Sequence, residues 1–167
     1  MSVNRGKQFE DVIKQSFDKV EGIVITRLHD QTNGYMGSKN PCDFMLYRKP
    51  MFMAIECKSV HGNTLPFSNI TDYQWEQLLL MSQVKGVVAG VICWWIDKDV
   101  TMFMPIQYLQ ACKDAGDKSV RYDCIGFEDN DRQIFNVEIY GKKKRVFFDY
   151  DMQLFLDTLE GFYETGT

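Results

Sequence analysis

Residues 87–96, Val-Val-Ala-Gly-Val-Ile-Cys-Trp-Trp-Ile, form the longest apolar run in the chain and constrain its architecture more than any other stretch. The run is broken at Gly90 and stopped by Asp97, well short of the ~20 apolar residues a membrane helix needs. A segment of this kind is a buried strand, and burying it takes a core. The 167 residues, 45% of them hydrophobic, are enough for one such domain and few for two. Met1-Ser2-Val3-Asn4-Arg5 has no apolar stretch behind its positive charge, so no signal peptide is expected. The expected compartment is the cytoplasm. The five cysteines include no C-x-x-C pair, which argues against a disulfide framework and against zinc. Cys42, Cys57, Cys93, Cys112 and Cys124 are expected to be reduced and mostly buried.

Other periodicities arrange themselves around that strand. Phe9, Val12, Ile13, Phe17 and Val20 recur at helical spacing, which predicts a helix over 5–19 closed by Gly22. A β-branched strand follows at 23–28, then a loop over 29–41 marked by Asn33-Gly34, Gly37-Ser38 and Asn40-Pro41. Strands at 42–47 and 51–60 flank a turn at Arg48-Lys49-Pro50. A helix over 71–85 opens on a capping box, Thr71-x-x-Gln74. Asp97-Lys98-Asp99 turns the central strand into another at 100–104, and 105–115 is helical. A last hairpin pairing 133–139 with 145–150 leads to a helix over 151–163. The order α-β-β-β-α-β-β-α predicts an α/β fold, a mixed central sheet flanked by helices.

In a strand over 51–60, Met53, Ile55 and Cys57 point into a core, while Glu56 and Lys58 share the opposite face. Ala-Ile-Glu-Cys-Lys is the one [D/E]-x-K site in the chain, and alone it fits an ordinary charged outer face. Asp43 adds to it: a turn centred between Lys49 and Pro50 sets Asp43 opposite Glu56. Two like charges so placed repel unless a cation lies between them, and carboxylates with water suit magnesium or manganese. Glu10 falls near Phe17 at the edge of the apolar helical stripe, with Arg5 close by. Gln74 aligns with Leu78 and Met81 on a buried stripe, so it could face the same acids as well as cap its helix, though one amide does not easily do both. His29 and His61 have no partner at ligand or triad spacing. Net charge is −4, against the basic character usual in DNA-binding domains, although Arg5 with Lys7, Arg48 with Lys49, and Lys142-Lys143-Lys144-Arg145 form basic clusters.

Asn4-Arg5-Gly6 followed by Glu10 resembles the N-R-G-x-x-x-E opening of RecU-type Holliday junction resolvases, of the PD-(D/E)xK nuclease superfamily. Pro41-Cys42-Asp43-Phe44 and Ile55-Glu56-Cys57-Lys58-Ser59 are similar to that family's acidic and E-x-K strands. Leu65-Pro66-Phe67-Ser68-Asn69-Ile70 with Gln74, and Asp114-Ala115-Gly116-Asp117-Lys118-Ser119, resemble its later segments. The match runs over 3–125 as the core of a single nuclease domain spanning 1–167, with a hairpin and helix of no assigned role over 126–167. The resemblance implies a restriction-endonuclease-like core and a homodimer that resolves four-way junctions with Mg2+ (or Mn2+) by paired nicks. It implies that Asp43, Glu56 and Glu10 hold the metal, that Lys58 and Gln74 complete the catalytic set, and that Arg5, Lys7, Tyr35 and Lys39 meet DNA. Where cellular members carry a long basic stalk, this chain has the short segment 30–40, as in a compact phage-type version. Tyr35 in that segment offers a face for base stacking. Phe127, Phe135, Phe147, Phe148, Phe155 and Phe162 in the tail either pack on the sheet or line an interface. A restriction-like or repair endonuclease with another DNA target, and a non-catalytic DNA-binding domain on a nuclease fold, remain as alternatives.

Overall fold

The computed structural model describes residues 4–29, 39–124, 127–129 and 132–164. Asn4 begins the first helix as its N-cap, its side chain accepting from the Lys7 N–H, and α1 runs Arg5–Phe17. β1 (Val24–Arg27), β2 (Phe44–Arg48) and β3 (Met51–Val60) follow, then short β4 (Thr64–Pro66) with a 3-10 turn at Phe67–Asn69. Thr71 caps α2 (Asp72–Ser82), and both halves of the predicted capping box are formed. β5 (Val87–Trp95), β6 (Val100–Pro105) and α3 (Ile106–Asp114) complete the part that the sequence reads most clearly. After it come β7 (Ser119–Arg121), β8 (Phe127–Asp129), β9 (Arg132–Ile134), β10 (Val137–Glu138), β11 (Gly141–Lys143), β12 (Phe148–Tyr150) and α4 (Met152–Glu164).

The main sheet has the order β1-β2-β3-β5-β6-β10. All neighbours are antiparallel except β3 and β5, which run parallel with α2 as their crossover. The fold is therefore the α/β class expected, a mixed central sheet flanked by helices. One face packs Phe9, Ile13 and Phe17 of α1 and Phe155, Leu156 and Leu159 of α4 against Phe44, Met53 and Ile55. The other packs Trp75 and Leu78 of α2 and Ile106 and Leu109 of α3 against Ala54, Val91 and Trp95. Covering on both faces explains why 87–96 is apolar throughout and does not alternate. Among the described residues no helix is long and apolar enough to cross a membrane.

Two expectations need correction. Residues 133–139 and 145–150 do not pair: Val137 and Glu138 join the main sheet on β6, while Gly141–Lys143 folds back on Phe148–Tyr150. The backbone needs Gly141 there, because a Cβ would lie 2.6 Å from the Asp149 carbonyl oxygen. Glu56 and Lys58 do not lie on an open outer face, since the sheet is roofed by helices on that side too. The expected loop falls largely outside the described residues, Tyr35 with it. The tail phenylalanines mostly pack inward: Phe155 is core, Phe147 and Phe148 are half-buried against it, and Phe162 stacks on Phe135 at 4.8 Å. The cysteines are all free, Cys42, Cys57 and Cys93 buried and Cys112 and Cys124 half-buried.

Candidate active site

The first turn of α1, the end of β1 and the acidic ends of β2 and β3 enclose a cleft of about 970 Å³ that holds Arg5, Glu10, Arg27, Asp43, Glu56 and Lys58. The β2–β3 ladder runs in the predicted register, from Arg48 opposite Met51 to Phe44 opposite Ile55. The Lys49–Pro50 peptide in the turn is cis. One residue further the ladder gives way. The Asp43 N–H bonds the Ile55 carbonyl at 3.0 Å, and the Asp43 carboxylate accepts from the Cys57 N–H at 2.8 Å. Asp43 is therefore beside Glu56 but is not its ladder partner, and its side chain takes over a backbone bond at the point where the strands part.

Glu56 is 2% exposed. Its Oε1 accepts from Gln74 Nε2 at 2.9 Å and lies 3.0 Å from Lys58 Nζ. Its Oε2 is buried with no hydrogen-bond partner among the described residues. Both nearby donors thus serve one oxygen, and the other is left with its desolvation cost uncompensated. Gln74 does both jobs the sequence set against each other: its Oε1 accepts the Thr71 N–H at 3.2 Å while its Nε2 donates to Glu56. An amide carries an acceptor and donors at once, so cap and acid are served from opposite ends of the group.

The electrostatics follow from this crowding. Burial raises the Asp43 carboxyl to about 8, with the charge of Glu56 adding to the rise and the Cys57 N–H opposing it. Burial pushes Glu56 up as well, against the pull of Lys58. The Cys42 thiol beside them is pushed up to about 12, by burial first and then by Glu56, so it stays protonated and is no nucleophile.

Glu10 reaches the cleft, with its Oε2 bound by Arg27 at 2.6 Å; the other arm of the same guanidinium holds Asp11 at 2.5 Å. Sequence reasoning missed Arg27. No local pattern joins it to Glu10 on α1; only the tertiary fold, which brings the end of β1 to that helix, does. Among the described residues no three Asp, Glu, His or Cys side chains stand close enough to hold one metal ion as they are placed. What the site does offer a hard cation is an orphaned carboxylate oxygen on Glu56 beside Asp43, an all-oxygen environment of the kind magnesium or manganese takes.

Of the residues expected to meet DNA, Arg5 lines the cleft with its guanidinium 5.7 Å from the centre of the Phe147 ring, and Lys7 lines it exposed. Lys39 is exposed, its Nζ 6.0 Å from the Tyr73 ring centre. Arg48 instead lies 2.5 Å from Asp157 and 3.6 Å from Glu160, so its charge is spent on α4. His61 pairs with Asp97 at 3.1 Å, and the His29 carbonyl accepts from Asn40.

A profile of the family described as Recombination protein U matches residues 19–140. The match includes Asp43, Glu56, Lys58 and Gln74, begins after Arg5 and Glu10, and runs past Ile125, where the resemblance read from motifs alone stops. Among curated proteins none is similar to the chain at a significant level. Among solved structures, the chain is similar to Hjc of Archaeoglobus fulgidus, a Holliday junction resolvase from an archaeal hyperthermophile. The two are 19% identical with a TM-score of 0.47, over 80% of this chain and 88% of that one.

Proposed function

The chain belongs to the recombination protein U family, and we propose on that premise that it is a divalent-metal-dependent endonuclease that resolves four-way DNA junctions. The observation that carries the reading is the pair Asp43 and Glu56, two desolvated acids with Lys58 3.0 Å from Glu56 and a buried carboxylate oxygen of Glu56 left unpartnered among the described residues. Asp43 and Glu56 would hold the ion, magnesium or manganese, with Glu10 the third ligand if it leaves Arg27. A bound divalent ion supplies charge that polarises a phosphate and acidifies water.

The remaining work belongs to the chain. Lys58, half-buried in the cleft, sets a fixed positive charge beside the acids, where it offsets charge gathering on a phosphate and favours the deprotonated form of a nearby water. Gln74 fixes the rotamer of Glu56 from the first turn of α2, a rigid element, so the carboxylate does not wander. Arg27 neutralises Glu10 at the cleft and would have to release it to an ion. Arg5 and Lys7 at the mouth meet the DNA backbone, and two copies of the chain about a two-fold axis make the two cuts a junction requires.

The test is cleavage in Mg2+ of a four-way junction and of a linear duplex of matching sequence. Paired nicks in the junction and none in the duplex are expected, and light scattering at micromolar concentration should give twice the chain's 19.5 kDa. Equal cutting of both DNAs would point to an endonuclease with another target. Absence of cutting with tight DNA binding would leave a binding domain.

A further inference from the structure

The hairpin of β11 and β12 carries the densest positive charge in the chain, Lys142-Lys143-Lys144-Arg145, in a protein whose net charge is −4. It lies beyond the residues that the family profile matches. The turn closes with the Lys144 N–H bonding the Phe147 carbonyl at 2.8 Å, and all four cations are exposed, Lys142 and Lys143 on β11 and Lys144 and Arg145 in the turn.

Two features separate this cluster from a solvated turn. The first is its fastening. Tyr150 N–H donates to Ser16 Oγ at 3.3 Å and the Tyr150 hydroxyl bonds Thr101 at 2.7 Å, while Lys19 reaches Asp149 at 2.5 Å. Phe147 packs on Trp94 with ring centres 5.3 Å apart and lies under the Arg5 guanidinium. Lys143 pairs with Asp99 at the end of the turn after β5. Arg5 lines the cleft, so through Phe147 the hairpin is fastened to a residue of the cleft's own wall.

The second feature is its unbalanced charge. Lys142, Lys144 and Arg145 have no carboxylate at ion-pair distance among the described residues. The acid that feels Lys142 and Lys144, Asp149, is already bound by Lys19. Like cations crowded on one turn repel, and phosphates spaced along a nucleic-acid backbone relieve that repulsion while releasing counterions.

We infer that the β11–β12 hairpin is a second nucleic-acid contact, with Lys142, Lys144 and Arg145 gripping the phosphate backbone beside the cleft that holds Asp43 and Glu56. This rests on the nuclease reading for the identity of the partner. It predicts a contact that strengthens binding to any DNA without reading sequence or branching.

The experiment measures binding of the full chain to a four-way junction and to a linear duplex in EDTA, from about 50 to about 200 mM salt. The variant is the triple Lys142→Ala/Lys144→Ala/Arg145→Ala, with Lys113→Ala/Lys118→Ala on the α3 side as control. On both DNAs the triple variant should show a log Kd against log salt slope shallower by about two to three, and binding weaker by about 10-fold or more, with unchanged Tm. The control should keep the parent slope. A triple variant with the parent's slope and Tm overturns the assignment, as does a control that loses as much slope, since net charge alone would then explain the effect. The outcome is separable from the nuclease reading. A parent that binds steeply yet never cuts refutes only the nuclease. A parent that cuts, with an unaltered slope in the triple variant, refutes only the hairpin.

Discussion

From Met51 to Ile55, strand β3 buries side chains among methionine, phenylalanine and leucine on both faces; from Glu56 to Ser59 the same strand carries acid, thiol, lysine and hydroxyl. Depth of burial does not separate the halves, since Glu56 is 2% exposed and Met51 is 3%. The neighbours do. The first half is paired to β2 along its length. The second has lost β2, which turns away at Asp43, and so faces a cleft across the gap. Where two antiparallel strands part, backbone donors are freed and side chains take them up. Asp43 does this with the Cys57 N–H, and the same splaying opens space for a ligand between the acids. The first half of the strand belongs to the core, and the second carries the proposed site.

The largest effect that would break this division is catalytic. Asp43→Asn or Glu56→Gln should lower the cleavage rate by about 10³-fold or more in Mg2+, because on the proposed reading each removes a charge that would hold the ion. Without metal, Tm of either variant should hold or rise, since one acid then remains for Lys58 in place of two. Retained nicking by both variants would end the assignment, and a fall in Tm of many degrees would show that the acid pair is structural.

Ile55→Ala, one residue before Glu56, should do the reverse. Ile55 is fully buried, and its loss should cost about 2–5 kcal/mol of stability. Well below the lowered Tm, its cleavage rate should remain within a few-fold of the parent. Denaturant unfolding with a rate measurement on the same sample checks both halves of that statement.

A smaller effect is the pH dependence of the metal-free protein. Folding raises the Asp43 carboxyl from the ~3.9 of an unfolded chain to about 8, and raises Glu56 too. Between those values the native state holds protons that the unfolded state has released, so stability falls as pH rises from about 4 toward about 8. Tm in EDTA should therefore decline across that window, and the decline should be shallower in Asp43→Asn. Added Mg2+ should oppose it, since the ion favours the ionised acids. A Tm that climbs with pH in EDTA would contradict the crowding of acids described above.

The parts of the fold that were legible in the sequence are those whose cause is local. The bounds of β3, the capping box at Thr71 and Gln74, and the β2–β3 register each follow from spacing within about twenty residues. What failed was partner choice at long range. Val137 and Glu138 alternate as a hairpin strand would, yet they complete the open edge at β6; nothing in the segment says which edge is free. The same limit hid Arg27, whose tie to Glu10 exists only because the fold brings the end of β1 to the first turns of α1. It also hid the burial of Glu56, because a strand pattern shows which residues share a face and not what covers that face. Six of the sequence-derived candidates, Arg5, Lys7, Glu10, Asp43, Glu56 and Lys58, line one cleft, and Gln74 touches it through Glu56.

Gln74 joins the two halves of the comparison, since its Oε1 serves the fold and its Nε2 serves the site. Two substitutions separate these roles. Gln74→Ala removes both, costing about 1 kcal/mol through the lost capping box, a Tm drop of about 2–4 °C in a chain of this size. It also leaves Glu56 with Lys58 as its remaining donor. Gln74→Glu keeps an acceptor for the Thr71 N–H and a favourable charge in the first turn of α2, but it replaces a donor to Glu56 with a like charge. At pH 5, where the added acid and Glu56 share a proton more readily, Gln74→Glu should match the parent Tm to within about a degree. At pH 8 it should cut more slowly by about 10-fold, with a larger Mg2+ concentration needed to reach half-maximal rate. If Gln74→Glu cuts at the parent rate and Gln74→Ala loses only Tm, the amide is a helix cap and nothing more, and the boundary between the two halves of the site lies at Glu56 itself.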